Sequence, residues 1–206
     1  MKNIYSKVAL GIILISSLIS IVGCSNQNSE FTNNVVTTRP GDTVLRMSGI
    51  LPDFDLGDLV KLSDAIYIAK VLEILPSQAG TDSNGRPIIY TDIIFNCINS
   101  LLSNSTQVDK FAVRVSGGRV GSNVMIAEDA PVFNKGEELI LFVYRRESFG
   151  LPPFDPVPIG INSNEYYGVV GSALGKWKYQ DNFGYDLLGH KYSIGEIESK
   201  VAILAR

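Results

Sequence analysis

The sequence predicts a mainly β domain with a short helix before its first long strand and an amphipathic helix at its end. From Ala65 onward, runs of β-branched and aromatic residues alternate with clusters of Gly, Pro, Asn and Asp, a pattern typical of strands joined by turns. Near the end of the chain, Ser193 and Glu196 have the spacing of a capping box. An apolar stripe at helical spacing accompanies them, formed by Ile194, Ile197, Val201 and Leu204.

The remaining elements follow from local patterns. Asp55 is placed to cap a short helix whose apolar side is Leu56, Leu59 and Val60. Strands are predicted at 65–75, 88–102, 108–115, 120–127, 139–144, 166–171 and 175–179. The polar segment 76–87 and the glycine-rich segment 116–121 are expected to be loop and turn, respectively. Residues 150–164, rich in Pro and Gly, predict a long surface loop, and long loops are often functional.

The N-terminal segment predicts export and lipid anchoring. Lys2 and Lys7 precede an apolar run that ends at Ile21-Val22-Gly23-Cys24, as in a signal peptide. This end resembles the bacterial lipobox. The resemblance implies cleavage before Cys24, diacylglycerol with acyl chains such as palmitate on the Cys24 sulfur, and retention at the outer face of the cell membrane or envelope. An uncleaved membrane-spanning anchor is the alternative, although the apolar run is short for a span and contains several serines.

Composition limits the remaining chain. We expect a signal peptide at 1–23, a flexible polar tether at 24–46 and one domain at 47–206. Two of the 18 Lys and Arg residues belong to the signal, which leaves 16 against 21 acidic residues and disfavours nucleic acid as a partner. With Cys24 lipidated, Cys97 has no disulfide partner. Alternation along its strand places Cys97 on one face with Ile93 and Phe95, so we expect a buried structural thiol.

The sequence contains no catalytic signature, and we predict neither enzymatic activity nor a cofactor. His190 is the sole histidine and follows no nucleophile motif. The adjacent carboxylates at 128–129 and 137–138 alternate in direction along a strand, so neither pair is set to share a proton. The spacing of Asp53, Asp55 and Asp58 could suggest a calcium loop, but helix capping accounts for it. The segment 82–85 lacks the later carboxylates of such a loop and suits a turn.

Four segments carry a further resemblance: 62–71 (LSDAIYIAKV), 90–92 (YTD), 113–118 (VRVSGG) and 133–142 (FNKGEELILF). In this order they resemble a group of exported prokaryotic proteins of uncharacterised function. More distantly, the arrangement is similar to the netrin-like domain of metalloprotease inhibitors, which implies an OB-like antiparallel β-barrel. Those inhibitors use the free amine and carbonyl of a terminal cysteine, whereas Cys24 would be lipidated here. The inhibitor mechanism therefore does not carry over.

A non-catalytic binding or envelope-associated interaction module is the function that these features favour. Tyr166, Tyr167, Trp177 and Tyr179 could form an aromatic platform for a glycan or a peptide of an extracytoplasmic protein, with the loop aromatics Phe149 and Phe154 nearby, or they could belong to the core. Arg114 and Arg119 are expected to be solvated, with an anionic partner as the alternative. Asn104-Ser105-Thr106 is an N-glycosylation pattern. An inhibitor or regulator of an exported peptidase is the second hypothesis, and a hydrolase that uses His190 is the third.

Overall fold

The computed structural model describes residues 33–82, 84–102 and 108–204. The fold is mainly β, with one helix before the long strands and one at the C-terminal end. Its elements are β1 (Thr43–Met47), α1 (Leu56–Leu62), β2 (Ala65–Ile74), β3 (Gln78–Thr81), β4 (Pro87–Leu102), β5 (Lys110–Ser116), β6 (Gly118–Val120), β7 (Asn123–Ala127), β8 (Glu138–Tyr144), β9 (Tyr166–Val169), β10 (Lys176–Gln180), β11 (Phe183–Tyr185), β12 (Lys191–Ser193) and α2 (Ile194–Leu204).

Five strands pair in a closed ring. β2 pairs antiparallel with both β4 and β8, and β4 pairs antiparallel with β5. β5 pairs in parallel with β9, and β9 returns antiparallel to β8. Because side chains alternate along a strand, every second residue points into the ring. The inward residues form one cluster that includes Tyr67, Ala69, Phe95, Phe111, Val113, Leu141 and Tyr167.

The outward residues of β2 and β8 are covered by the two helices and by β10. Ile66, Ile68, Ile140 and Phe142 pack with Leu59 and Val60 of α1, with Trp177 of β10 and with Ile197 and Val201 of α2. Both faces of these two strands are therefore buried, which explains why they are almost continuously apolar in sequence. β11 and β12 extend the sheet beyond β10.

The helix boundaries confirm the predicted capping chemistry. The Asp55 side chain accepts a hydrogen bond from the Asp58 backbone N–H at 2.9 Å, and the Asp58 side chain accepts one from the Asp55 N–H. At α2, the Glu196 carboxylate accepts from the Ser193 N–H at 2.6 Å, and the Ser193 hydroxyl accepts from the Glu196 N–H at 3.2 Å. Both caps satisfy backbone N–H groups that have no partner within the helix.

The predicted strands are present, with two corrections. The segment 116–121, expected to be a turn, contains β6, which pairs antiparallel with β7. The chain turns between these two strands at Gly121, which has a φ of 60°, so the strand expected at 120–127 is β7 alone and starts at Asn123. The segment 76–87, expected to be a loop, contains β3, which pairs with β4. A turn is present at Asp82, Asn84 and Gly85 as predicted, since the Asp82 carboxylate accepts from the backbone N–H groups of Asn84 and Arg86.

Part of the segment expected to be a flexible tether contacts the domain. β1 pairs in parallel with β7 and forms, with β6, a separate three-stranded sheet. Arg119 donates to both carboxylate oxygens of Asp42, at 2.7 and 2.6 Å, and to the Thr37 carbonyl at 2.7 Å. Contacts with the domain therefore begin upstream of residue 47. The signal peptide and Cys24 lie outside the described residues.

No helix among the described residues is long and apolar enough to cross a membrane.

Candidate functional site

The segment between β8 and β9, residues 145–165, crosses the outer face of β4, β5 and β9. We call it the β8–β9 loop. It packs Phe154, Val157 and Ile161 against the outward residues Ile94, Ala112 and Tyr166. Between this loop, the start of the β2–β3 connection and the sheet lies a cleft of about 530 Å³. The cleft is the candidate functional site.

Arg114 connects the β8–β9 loop to the sheet through hydrogen bonds. Its guanidinium donates to both carboxylate oxygens of Asp92, its cross-strand neighbour, at 2.9 and 3.0 Å. The same side chain donates to the backbone carbonyls of Asp155 and Pro156, each at 3.0 Å. The side chains of Arg114 and Asp92 are 9% and 1% exposed, so this is a buried ion pair. Two parallel hydrogen bonds of this kind hold the guanidinium and the carboxylate in one relative orientation, in addition to their attraction as opposite charges.

Aromatic rings surround the ion pair. The guanidinium carbon of Arg114 lies 3.4 Å from the ring centre of Tyr90 and 5.2 Å from that of Tyr166. The Tyr166 hydroxyl donates to Asp92 at 2.5 Å, and burial together with this hydrogen bond raises the pKa of Tyr166. Phe154 packs on Tyr166 with ring centres 5.2 Å apart. These contacts give the β8–β9 loop a fixed position on the sheet.

The cleft itself has apolar walls and a charged rim. Leu75 and Ile94 line the sheet side, and Val157, Ile159 and Ile161 line the loop side. Ile159 is fully exposed at the tip of the loop. Exposed polar side chains stand around the rim, namely Glu73, Gln78 and Lys110. Such a cleft can bind the apolar groups of an extended ligand chain against its walls. The positive and negative side chains at the rim can pair with the polar atoms of the same ligand.

The four aromatic residues predicted as a platform do not share a surface. Tyr167 points into the ring, where it is 3% exposed and donates to Glu165 at 2.6 Å. Tyr166 is 3% exposed behind the cleft. Trp177 is 2% exposed on the opposite side of the ring, and Tyr179 is partly buried in the same cluster. Helices and strands cover these positions, so the residues stabilise three separate packing clusters rather than an exposed platform.

Trp177 and Tyr167 have structural hydrogen bonds that fit this role. The Trp177 indole N–H donates to the Leu174 carbonyl at 2.9 Å, and the indole stacks on Tyr192 with ring centres 4.8 Å apart. Burial and the hydrogen bond to Glu165 raise the pKa of Tyr167. Of the loop aromatics, Phe149 is 51% exposed and lies edge-on against Tyr144.

His190 and its neighbours form a second cleft of about 350 Å³ on the α1 side. The exposed imidazole Nδ1 lies 2.8 Å from Asp186 Oδ2. Asp55 and Asp58, which line the same cleft, are occupied in capping α1. Among the described residues, no group of three His, Cys, Asp or Glu residues is arranged to hold a metal ion.

Cys97 lies on the inner face of β4 with Ile93 and Phe95, as the alternation predicts. It is partly buried, and burial raises the pKa of its thiol to about 11. A thiol in such surroundings has little thiolate character at neutral pH, which fits a structural residue.

The prediction that Arg114 is solvated was wrong, and the cleft was not predicted from the sequence. We expected Arg114 to be solvated, but the β8–β9 loop covers it. The sequence did contain a signal, because Asp92 lies between Tyr90 and Ile94 on one face of a strand whose first half is mostly apolar, and a buried carboxylate needs a partner. Arg119 is likewise paired within the chain, with Asp42. Asn104, the predicted glycosylation site, lies outside the described residues.

No protein-family model matches the chain, and no curated protein resembles it significantly in sequence. Its function is therefore inferred from its own residues and geometry.

Proposed function

We propose that the protein is a membrane-anchored extracytoplasmic lipoprotein whose domain is a non-catalytic binding module. The lipobox-like end of the N-terminal segment supports the anchor, since Cys24 directly follows the small residue Gly23 at the end of an apolar run. The cleft beneath the β8–β9 loop supports the binding role. It combines an apolar interior, a charged rim and a loop that is fixed on the sheet.

The pairing of the ring strands supports an OB-like barrel. Counted along the chain, the first ring strand, β2, pairs with the second and the fourth, and the third pairs in parallel with the fifth. OB-like barrels bind ligands on the face of the second and third strands, between the loops that follow the first and the fourth. The cleft occupies this position, with β4 and β5 as its floor. This placement is the observation that carries the proposal.

The chemistry of the cleft favours an extended peptide segment of an extracytoplasmic protein. Its walls are aliphatic, whereas a glycan site would need exposed aromatic faces, and the Tyr90 ring is covered by Arg114. The rim carries Glu73 and Lys110, which suit the polar groups of a peptide. An acidic chain of this composition disfavours nucleic acid.

Site-specific photocrosslinking in the native cell tests the binding role. A photoreactive amino acid replaces Ile159, at the rim of the cleft, or Ile203, an exposed residue of α2 that serves as the matched control. After detergent extraction, mass spectrometry identifies the crosslinked proteins. We expect a defined protein adduct from position 159 that position 203 does not give. Identical adducts from both positions, or adducts from neither, would overturn the assignment of the cleft.

The anchor is tested separately. Replacement of Cys24 by Ala is expected to abolish incorporation of labelled palmitate and to release the protein from the membrane fraction. Unchanged lipid labelling in the Cys24→Ala variant would show that the lipobox assignment is wrong.

A further inference from the structure

Exposed apolar side chains concentrate where the chain enters the domain. Of the fourteen large apolar side chains that are exposed among the described residues, six lie between residues 35 and 51 and a seventh is Val132. We call this group the N-terminal apolar region. Ile50 is 98% exposed and Val35 is 55% exposed. The complete group is Val35, Val44, Leu45, Met47, Ile50, Leu51 and Val132.

Hydrogen bonds bring the two ends of this group together. Asn34 donates to the Pro131 carbonyl at 3.0 Å and accepts from the Phe133 N–H at 2.7 Å, which places Val35 beside Val132. β1 is an edge strand that carries Val44 on one face and Leu45 and Met47 on the other, and all three side chains are exposed. Ile50 and Leu51 follow β1 along the chain. Residues 34–36 line a cleft together with residues 125–127 of β7, the strand that pairs with β1.

The length of chain before this region limits where it can lie. Cys24 and Asn33 are separated by eight residues, so even a fully extended chain spans at most about 32 Å between them. A compact domain of this size has a diameter of about 40 Å. If Cys24 carries lipid, the side of the domain opposite Asn33 therefore cannot face the bilayer, because Asn33 would then lie farther from the lipid than the chain can reach.

We infer that the N-terminal apolar region docks on the surface of the bilayer that holds the anchor. This inference rests on the proposed lipidation of Cys24. The apolar side chains enter the boundary between headgroups and acyl chains, where amphipathic surfaces bind. Arg46, which shares a face of β1 with Val44, extends its charged group to the headgroups. Exposed Glu128 follows β7 beside Met47, so apolar contact rather than attraction to anionic lipid drives the docking.

A depth measurement on the lipidated protein tests this docking. In a Cys97→Ala background, Ile50 or the control residue Ile203 is replaced by Cys and labelled with an environment-sensitive fluorophore. Both residues are exposed, which makes either substitution compatible with the fold. The protein is reconstituted in phosphatidylcholine vesicles, with and without brominated acyl chains. We expect the probe at position 50 to shift to the blue and to lose more than about half of its emission to bromine, at low and high salt alike. The probe at position 203 should remain unquenched.

Vesicle flotation separates the two proposals. If the protein floats with the vesicles but both probes stay unquenched, docking is refuted and the anchor stands. If the protein does not float, lipidation fails and the docking inference fails with it. Hydrogen exchange on the unlabelled protein gives a second readout, in which protection of residues 43–51 by vesicles relative to micelles is expected. Equal exchange in both would contradict the docked state.

Discussion

Replacing Arg114 by Met should destabilise the protein far more than an ordinary surface substitution. The variant loses two hydrogen bonds to Asp92 and leaves that carboxylate, which is 1% exposed, with Tyr166 as its remaining side-chain donor. Removing one partner of a buried ion pair costs about 3–5 kcal/mol. The carbonyls of Asp155 and Pro156 belong to exposed residues, so water replaces their lost bonds at little cost.

Urea unfolding measures this loss in the purified protein. Trp177 is the sole tryptophan and is 2% exposed, so its emission reports unfolding directly. With a slope of about 2 kcal/mol per molar urea, the midpoint should fall by about 1.5–2.5 M. The control Arg86→Met breaks an exposed pair, in which the Arg86 side chain is 71% exposed, and should cost about 0–1 kcal/mol.

A second variant checks the reasoning. In Arg114→Met with Asp92→Asn, the unpaired charge at position 92 is removed, so the double variant should be more stable than Arg114→Met alone. A loss below about 1 kcal/mol for Arg114→Met would refute the buried-pair argument. So would a double variant that recovers nothing.

Three further predictions concern a helix cap, an acidic group and the thiol. Asp55→Ala should lower the free energy of unfolding by about 1 kcal/mol, whereas Asp53→Ala should leave it almost unchanged, as urea midpoints will show. The hydrogen bond from Arg119 lowers the pKa of Asp42 to about 2 from its ordinary 3.8. The stability that this adds is complete above pH 3.8 and is lost as the pH falls through 2, so wild-type and Asp42→Asn midpoints should converge at low pH. With the pKa of Cys97 raised to about 11, a maleimide should react with native protein at least about tenfold more slowly than with unfolded protein.

Each of these three predictions would be contradicted by a specific result. Equal urea midpoints for Asp55→Ala and Asp53→Ala would show that the capping box adds no stability. A constant difference between wild type and Asp42→Asn across the acid range would contradict the lowered pKa of Asp42. Equal maleimide rates in native and unfolded protein would show that the Cys97 thiol is accessible.

Local sequence patterns predicted most of the helices and strands, but they did not predict the cleft. Helix caps such as Asp55 and Ser193 are set by contacts three residues apart, and strand alternation is a property of each segment, so both can be predicted from sequence. The contacts of Arg114 could not be predicted in this way. They involve Asp92, 22 residues away, and Asp155 and Pro156, 41 and 42 residues away.

The burial of the aromatic residues proposed as a platform was likewise not predictable from local sequence. Trp177 alternates with two lysines in sequence, a pattern that fits an exposed platform as well as a half-buried strand. Only the packing of α1 and α2 against β10 decides that the indole is buried. Tyr166 and Tyr167 are adjacent in sequence, yet they point to opposite faces of β9 and join different clusters.

The sequence by itself determined the mainly β class, the two caps, most strand positions and the inner face of β4 that carries Cys97. These features arise from interactions between near neighbours and from the periodicity of the backbone. The tertiary structure alone decided that five strands close a ring, that β1 joins a separate sheet, and that the β8–β9 loop covers a buried ion pair and forms a cleft. Pairing between distant segments depends on the combined burial of many side chains, which no single stretch of sequence contains.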